Sequence, residues 1–146
     1  MPNRFTLLPI AALLVAGAAF AHQDVSNPAV LARMQGMSAI NDAMKTLSAM
    51  VKGDATFDAD AAAGARAKLV AEIDAMPGLF AAPETDPKSE ARPEIWTDPA
   101  TFAARIDASR VAVAALDTAT LESLAAGFTT VGLSCKGCHD SFRQRK

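Results

Sequence analysis

The spacing of apolar residues constrains the fold of this chain more than any other feature. They recur every three or four positions in four separate blocks, and this spacing places them on one face of an α-helix. The most regular block contains Leu121, Leu124, Phe128, Val131, Cys135, Cys138 and Phe142. No block alternates with the period of two that is typical of a strand. The chain of 146 residues is therefore expected to contain one all-α domain.

Capping residues mark the expected limits of the first two helices. The first opens at Asn27-Pro28, a capping residue followed by proline at the first helical position, and ends at Gly53. Its stripe contains Val30, Met34, Met37, Ile40, Met44, Leu47 and Val51. The second starts near Asp58 and stops at Pro77-Gly78. Its stripe contains Ala62, Ala65, Leu69, Ile73 and Met76.

The other two helices follow a long connection. The third opens at Asp98-Pro99, and the fourth begins around Asp117 or Thr118. Residues 79–97 are expected to form a loop, since three prolines lie within them, and a loop of that length is usually functional or packs as a unit. Short turns join the first two helices and the last two. This connectivity predicts an antiparallel up-down-up-down four-helix bundle.

The first 21 residues have the pattern of a secretory signal peptide. Arg4 precedes a short apolar stretch at residues 7–18, and Ala19-Phe20-Ala21 matches a cleavage site. The alternative is an uncleaved membrane anchor, but the stretch is shorter than the roughly 20 residues of a span. The mature chain, residues 22–146, is thus expected to be exported, to the periplasm in a bacterium, and to have no membrane segment. The net charge of −2 indicates no nucleic-acid partner.

The chemistry of the chain is indicated by Cys135-Lys136-Gly137-Cys138-His139, a C-x-x-C-H haem attachment pattern. On a helix, Cys138 and His139 lie three and four residues beyond Cys135, so all three project from one face. Two thiols can then form thioethers with the two vinyl groups of one porphyrin. The imidazole reaches the iron from the proximal side. One covalent haem c is therefore expected.

Three other interpretations of the two cysteines fit less well. A thioredoxin-like C-x-x-C site belongs in a βαβ setting, which the pattern of this chain does not predict. A zinc site needs about four ligands, whereas these two cysteines have only one well-placed histidine beside them. A disulfide would explain neither His139 nor the apolar stripe.

A haem motif at the C-terminal end of four helices resembles the class II c-type cytochromes, namely cytochrome c′ and cytochrome c-556. The resemblance covers nearly the whole mature chain. It is carried by residues 50–53, 57–59, 91–96, 131–140 and 142–143. It implies a left-handed antiparallel bundle with haem near one end, and a homodimer packed through the first two helices. Surplus apolar residues on the first helix agree with a dimer: Leu31, Ala39, Ala43 and Met50.

The resemblance also implies roles for individual residues. Cys135 and Cys138 would bind the haem, with His139 as the proximal iron ligand. Arg143, one turn beyond His139, would tune the iron or hydrogen-bond a ligand, unless it only stabilises a helix C-terminus. Arg33 would lie near the haem propionates. Met37 would occupy the distal side, either bonding the iron or lining an apolar pocket. Core packing is the alternative role for Met37.

Two functions follow from these roles. The first is periplasmic electron transfer through the covalently attached haem, with an unknown redox partner. The alternative is binding of nitric oxide or carbon monoxide by a five-coordinate iron, in a pocket to which Met37, Ile40 and Phe102 could contribute. An enzyme such as a peroxidase is not expected, since no distal histidine is evident. Methionine ligation would raise the reduction potential, so Met37 largely decides between the two functions.

Overall fold

A computed structural model describes residues 24–144, which form four long helices and one short helix. The helices are α1 (Pro28–Lys52), α2 (Ala59–Leu79), α3 (Glu94–Thr97), α4 (Pro99–Ala114) and α5 (Leu121–Phe142). Within this range no strand forms, and Ala91 and Arg143 make an isolated antiparallel bridge. The all-α prediction is confirmed. The predicted signal peptide lies outside the described residues.

The predicted limits of α1 are confirmed by its caps. The Asn27 side chain accepts hydrogen bonds from the backbone N–H groups of Ala29 at 2.9 Å and Val30 at 3.1 Å. These bonds satisfy donors that have no partner inside the helix. Gly53 ends the helix with a φ of 79°, in the left-handed region that glycine adopts without a steric penalty.

The predicted end of α2, just before Pro77-Gly78, was three residues too early. The helix continues through Pro77 to Leu79, and the Phe80 N–H still bonds the carbonyl of Met76 at 3.0 Å. Proline lacks the backbone N–H that would bond the carbonyl four residues earlier. In the last turn of a helix, few hydrogen bonds follow that position.

The predicted start of α5 was also wrong, by three to four residues. Thr120 caps the helix because its hydroxyl accepts from the Ser123 N–H at 3.1 Å, and the Ser123 hydroxyl accepts from the Thr120 N–H in return. Asp117 instead accepts from the Ala119 N–H within the preceding turn. Leu121 is 42% exposed, so it does not belong to the buried stripe.

The loop predicted for residues 79–97 contains regular structure at both ends. Leu79 belongs to α2, and residues 94–97 form α3. Ile95 in α3 is only 4% exposed and belongs to the main core. Ile95 packs this one-turn helix against α4 and α5, and Trp96 Nε1 donates to the Phe80 carbonyl at 2.8 Å. Local periodicity does not reveal these tertiary contacts.

The long helices pack as a closed ring of neighbours. α1 contacts α2 and α5, and α4 contacts α2 and α5. The side chains buried most completely in the centre are Leu47, Leu69, Ile73, Leu116, Leu124, Val113 and Val131. The predicted four-helix bundle is confirmed. Ala43 and Met50 belong to this core, so they are not surplus apolar surface as the sequence analysis supposed. No helix in the described range is long and apolar enough to span a membrane.

Candidate haem site

The three residues of the predicted haem motif lie in the last two turns of α5. Cys135 and Cys138 are partly buried and pack against the main core, and His139 follows on the same helix face. The spacing along one continuous helix brings both thiols and the imidazole to neighbouring positions. The described residues contain no cluster of three or more His, Cys, Asp or Glu that could hold a metal ion by itself.

Burial controls the protonation of these groups. It raises the pKa of Cys138 to about 11, a shift to which Cys135 adds and which Arg105 opposes. The pKa of Cys135 is also raised by burial. The pKa of His139 is lowered, first by burial and then by the positive charge of Arg143, while Asp140 and Glu90 act in the opposite direction. A lowered pKa favours the uncharged imidazole, which is the form that binds a metal.

Three aromatic rings pack in a row beside the end of α5. The Phe102 ring meets Phe80 edge-on, with ring centroids 5.3 Å apart, and meets Phe142 edge-on at 5.1 Å. Phe142 lies three residues beyond His139 in α5 and is 5% exposed. Such edge-to-face contacts are favourable beyond the apolar area that they bury. The helix end that carries the motif is thus held in apolar surroundings.

Met37 lies on α1, one of the two long helices that contact α5. It is partly buried, and Ile40, three residues further along the helix, packs against the main core. Contact between α1 and α5 is what a distal role for Met37 requires. Ligation of iron by Met37 stays a prediction.

Arg33 is buried, at 3% exposure, and binds the chain that follows α2. Its guanidinium donates to the carbonyls of Leu79 and Glu84, both at 2.7 Å, and to that of Ala82. The rings of Phe80 and Trp96 each lie 5.2 Å from its central carbon. Burial lowers the pKa of Arg33, and the nearby Glu84 charge opposes that shift. This structural role was not predicted, and the propionate contact stays a prediction.

Arg143 is the C-cap residue of α5, and its N–H bonds the carbonyl of His139 at 3.1 Å. Its Nε donates to Glu90 Oε2 at 2.6 Å. It therefore takes a position at the helix C-terminus, and its charge also acts on His139. Both of the roles considered for Arg143 agree with this placement.

Two charged residues that were not predicted from the sequence lie near the haem motif. Glu90 pairs with Arg143 from 53 residues away, and Arg105 of α4 lies beside the turn that joins the two cysteines. A Cβ atom added at Gly137 would lie 3.4 Å from Arg105 Nη1, an ordinary contact with the end of a flexible side chain. Neither contact has a local signal, because each depends on how distant segments pack.

The donor set fits a covalently attached haem. Two partly buried thiols can each bond one vinyl group, and one imidazole on the same face can bind the iron. The porphyrin supplies the other four iron ligands, so the absence of further protein ligands nearby presents no difficulty. Aromatic and apolar side chains around the helix end match the character of a porphyrin ring.

Comparison with known proteins gives consistent matches. The family model described as cytochrome C' matches residues 28–143. Cytochrome c' from Alcaligenes xylosoxydans xylosoxydans is 34% identical over 122 residues, covering 81% of this chain and 94% of that protein. The structure of cytochrome c' from Rhodobacter Spheriodes has a TM-score of 0.75 and 35% identity, and the match covers 81% of this chain and 96% of that one.

A third match is the nitric oxide complex of a variant of cytochrome c prime from Alcaligenes xylosoxidans. It has a TM-score of 0.71 and 31% identity, covering 80% of this chain and 94% of that one. The family model spans nearly all of the described residues, and the bundle agrees with both solved structures. The chain therefore belongs to the cytochrome c′ family, the class II c-type cytochromes, which are haem proteins with iron.

Proposed function

We propose that this protein carries one haem c, bound by thioethers from Cys135 and Cys138, with His139 as the proximal iron ligand. The observation that carries the proposal is the placement of two thiols and an imidazole on one face of α5. Haem supplies an iron that exchanges an electron and binds a small sixth ligand. The thioethers fix the porphyrin to the helix, and His139 sets which side of the iron remains accessible.

We infer further that the distal side binds a diatomic gas such as nitric oxide. The similarity to a cytochrome c prime solved with nitric oxide supports this function over electron transfer. In this arrangement α1 supplies the distal surface, and the bulk of Met37 limits what can approach. The Phe80, Phe102 and Phe142 rings pack against one another beside the helix end that would hold the haem.

Electron transfer is the second candidate, and the chemistry of Met37 favours it. A thioether can bind haem iron, and this ligation raises the reduction potential. The sixth position would then be filled by the protein itself. Under both candidate functions the protein binds a gas or transfers electrons, and it catalyses no reaction of its own.

Replacing Met37 with leucine separates the two candidates, because leucine keeps the apolar bulk and removes the sulfur. We expect the spectrum of the variant to stay high-spin, as in the wild type, since Met37 does not bind the iron in the proposed state. The carbon monoxide association rate should change less than about tenfold, because the two side chains have similar volumes. Stopped-flow mixing with optical detection measures both.

The matched control is Met44→Leu on the same helix, at a methionine that packs against the main core. A low-spin wild-type protein that becomes high-spin in Met37→Leu, but not in Met44→Leu, would establish Met37 as a ligand. That result would favour electron transfer over gas binding.

We also propose export to the periplasm, with cleavage after Ala21. The support is the pattern in residues 1–21 together with membership of a family of c-type cytochromes. N-terminal sequencing of the protein purified from its host should begin at His22.

A homodimer is proposed through α1 and α2, as the family resemblance implies. A shallow groove of about 420 Å³ runs between these helices. Most of its lining residues are small, and Asp42 and Lys68 supply one charge of each sign. The lining consists of Ala39, Asp42, Ala43, Thr46, Ala61, Ala65 and Lys68. A symmetric dimer requires a surface that complements itself, which small side chains with paired opposite charges can provide.

Analytical ultracentrifugation tests the dimer. At micromolar concentration the wild type should sediment as a dimer, and Ala39→Arg should sediment as a monomer because its side chain fills the groove. Ala104→Arg, on the exposed face of α4, is the control and should remain dimeric. A monomeric wild type would contradict the proposal.

A further inference from the structure

Two backbone hydrogen bonds join the end of α5 to residues 90–92. The Gln144 N–H bonds the carbonyl of Glu90 at 2.7 Å, and the Arg92 N–H bonds the carbonyl of Phe142 at 3.0 Å. Between them, Ala91 and Arg143 form the isolated antiparallel bridge. The chain that precedes α3 is thus fixed to the helix end that carries the haem motif.

This arrangement holds Glu90 and Arg143 opposite one another. Arg143 Nε donates to Glu90 Oε2 at 2.6 Å, and the side chains are 55% and 36% exposed. An ion pair at such exposure usually contributes little, partly because two long side chains lose freedom when they pair. Here the backbone contacts already hold both residues in place. The two side chains therefore lose less conformational entropy when they pair.

The pair lies close to His139. Arg143 follows His139 by one helical turn and bonds its carbonyl through the backbone. Side chains four residues apart on a helix lie on the same face. The position of the Arg143 guanidinium therefore affects the surroundings of the proximal ligand.

We propose that Glu90 is a positioning residue for the proximal side of the haem site. By accepting the Arg143 Nε–H, its carboxylate fixes the guanidinium beside His139 and makes residues 90–92 part of the proximal wall. The inference rests on the proposed haem site, with His139 as the proximal ligand. Neither residue spacing nor the haem motif indicates Glu90, because the contact is made between segments that are distant in sequence.

A double-mutant cycle on the holoprotein tests this role. The four proteins are the wild type, Glu90→Ala, Arg143→Ala and the double variant. The first measurement is the set of hyperfine-shifted imidazole proton resonances of His139 in the ferric protein, by NMR. The second is the carbon monoxide dissociation rate of the ferrous protein. If Glu90 acts through Arg143, its replacement has an effect only while Arg143 is present.

We expect Glu90→Ala to shift the His139 resonances and to change the dissociation rate by about two- to fivefold, the range that an exposed ion pair supports. In the Arg143→Ala background the same substitution should change neither quantity. The control is Asp74→Ala, which removes a carboxylate from a similar exposed pair, with Arg110 Nε at 2.8 Å. It should leave both quantities at the wild-type values.

Two results would overturn the role of Glu90. One is a Glu90→Ala protein whose His139 resonances match the wild type. The other is an equal effect with and without Arg143, which would mean that Glu90 acts directly through its charge. A wild-type holoprotein that binds no carbon monoxide would contradict gas binding instead, and the NMR comparison would still decide the role of Glu90.

Discussion

A variant with both Cys135 and Cys138 replaced by alanine should contain no covalently bound haem. They are the only cysteines in the chain, so no other residue offers a thiol for a thioether. Haem staining of the protein after denaturing electrophoresis measures the effect directly, because haem held only by His139 is released on denaturation. Each single variant retains one possible thioether and should keep part of the stain.

Ser134→Ala is the matched control for the cysteine variants. It removes a small polar side chain from the position next to Cys135, where the Ser134 hydroxyl donates to the Val131 carbonyl at 2.8 Å. Its haem stain should equal that of the wild type. Stain that survives in the double cysteine variant would show that haem attaches without the motif, and the proposed site would be wrong.

Replacing Arg33 with leucine should lower the free energy of unfolding by about 3–5 kcal/mol, because the buried guanidinium donates to three carbonyls and a hydrogen bond to a charged group contributes ~1.5–3 kcal/mol. The carbonyls are those of Leu79, Ala82 and Glu84. The contacts of the guanidinium with the Phe80 and Trp96 rings are lost as well. In a domain of this size the melting temperature should fall by about 10–20 °C. Thermal unfolding of the holoprotein followed by circular dichroism measures the change.

Arg66 offers a close comparison for Arg33. Its guanidinium also donates to two carbonyls, those of Val113 at 3.0 Å and Ala114 at 2.7 Å, but it lies nearer the surface. Water can replace the lost donors there, so Arg66→Leu should cost only about 1 kcal/mol. Equal losses in the two variants would contradict the structural role assigned to Arg33.

Local signals in the sequence predict the long helices well. The apolar spacing identifies all four, and the Asn27 and Gly53 caps locate both ends of α1. Errors arise where two local signals compete. Both Asp117 and Thr120 can cap a helix, and the reciprocal bonds between Thr120 and Ser123 decide for the later start. Pro77 has the pattern of a helix stop, yet the final turn tolerates it.

Contacts between distant segments are the part that sequence spacing could not predict. α3 depends on the burial of Ile95 in a core built by other helices. The contact of Arg33 with haem propionates stays a prediction, and its bonds to three carbonyls some 50 residues later were not expected. The contact between Glu90 and Arg143 spans a similar distance in sequence. Such pairs carry no periodic signal.

The haem motif itself was fully predictable, since its spacing alone places two thiols and an imidazole on one helix face. The distal side was not, because it depends on how closely α1 approaches the haem. A methionine at position 37 can act as an iron ligand or can line an apolar pocket. Only a property of the iron can separate these states.

The optical spectrum of the purified ferrous protein, recorded before and after addition of carbon monoxide, tests the central claim most directly. The claim is that α5 holds a haem through Cys135, Cys138 and His139, with a distal position open to a diatomic gas. We predict a high-spin ferrous spectrum that converts to a carbon monoxide complex. A low-spin spectrum unchanged by carbon monoxide, or no haem absorption after c-type maturation, would contradict it.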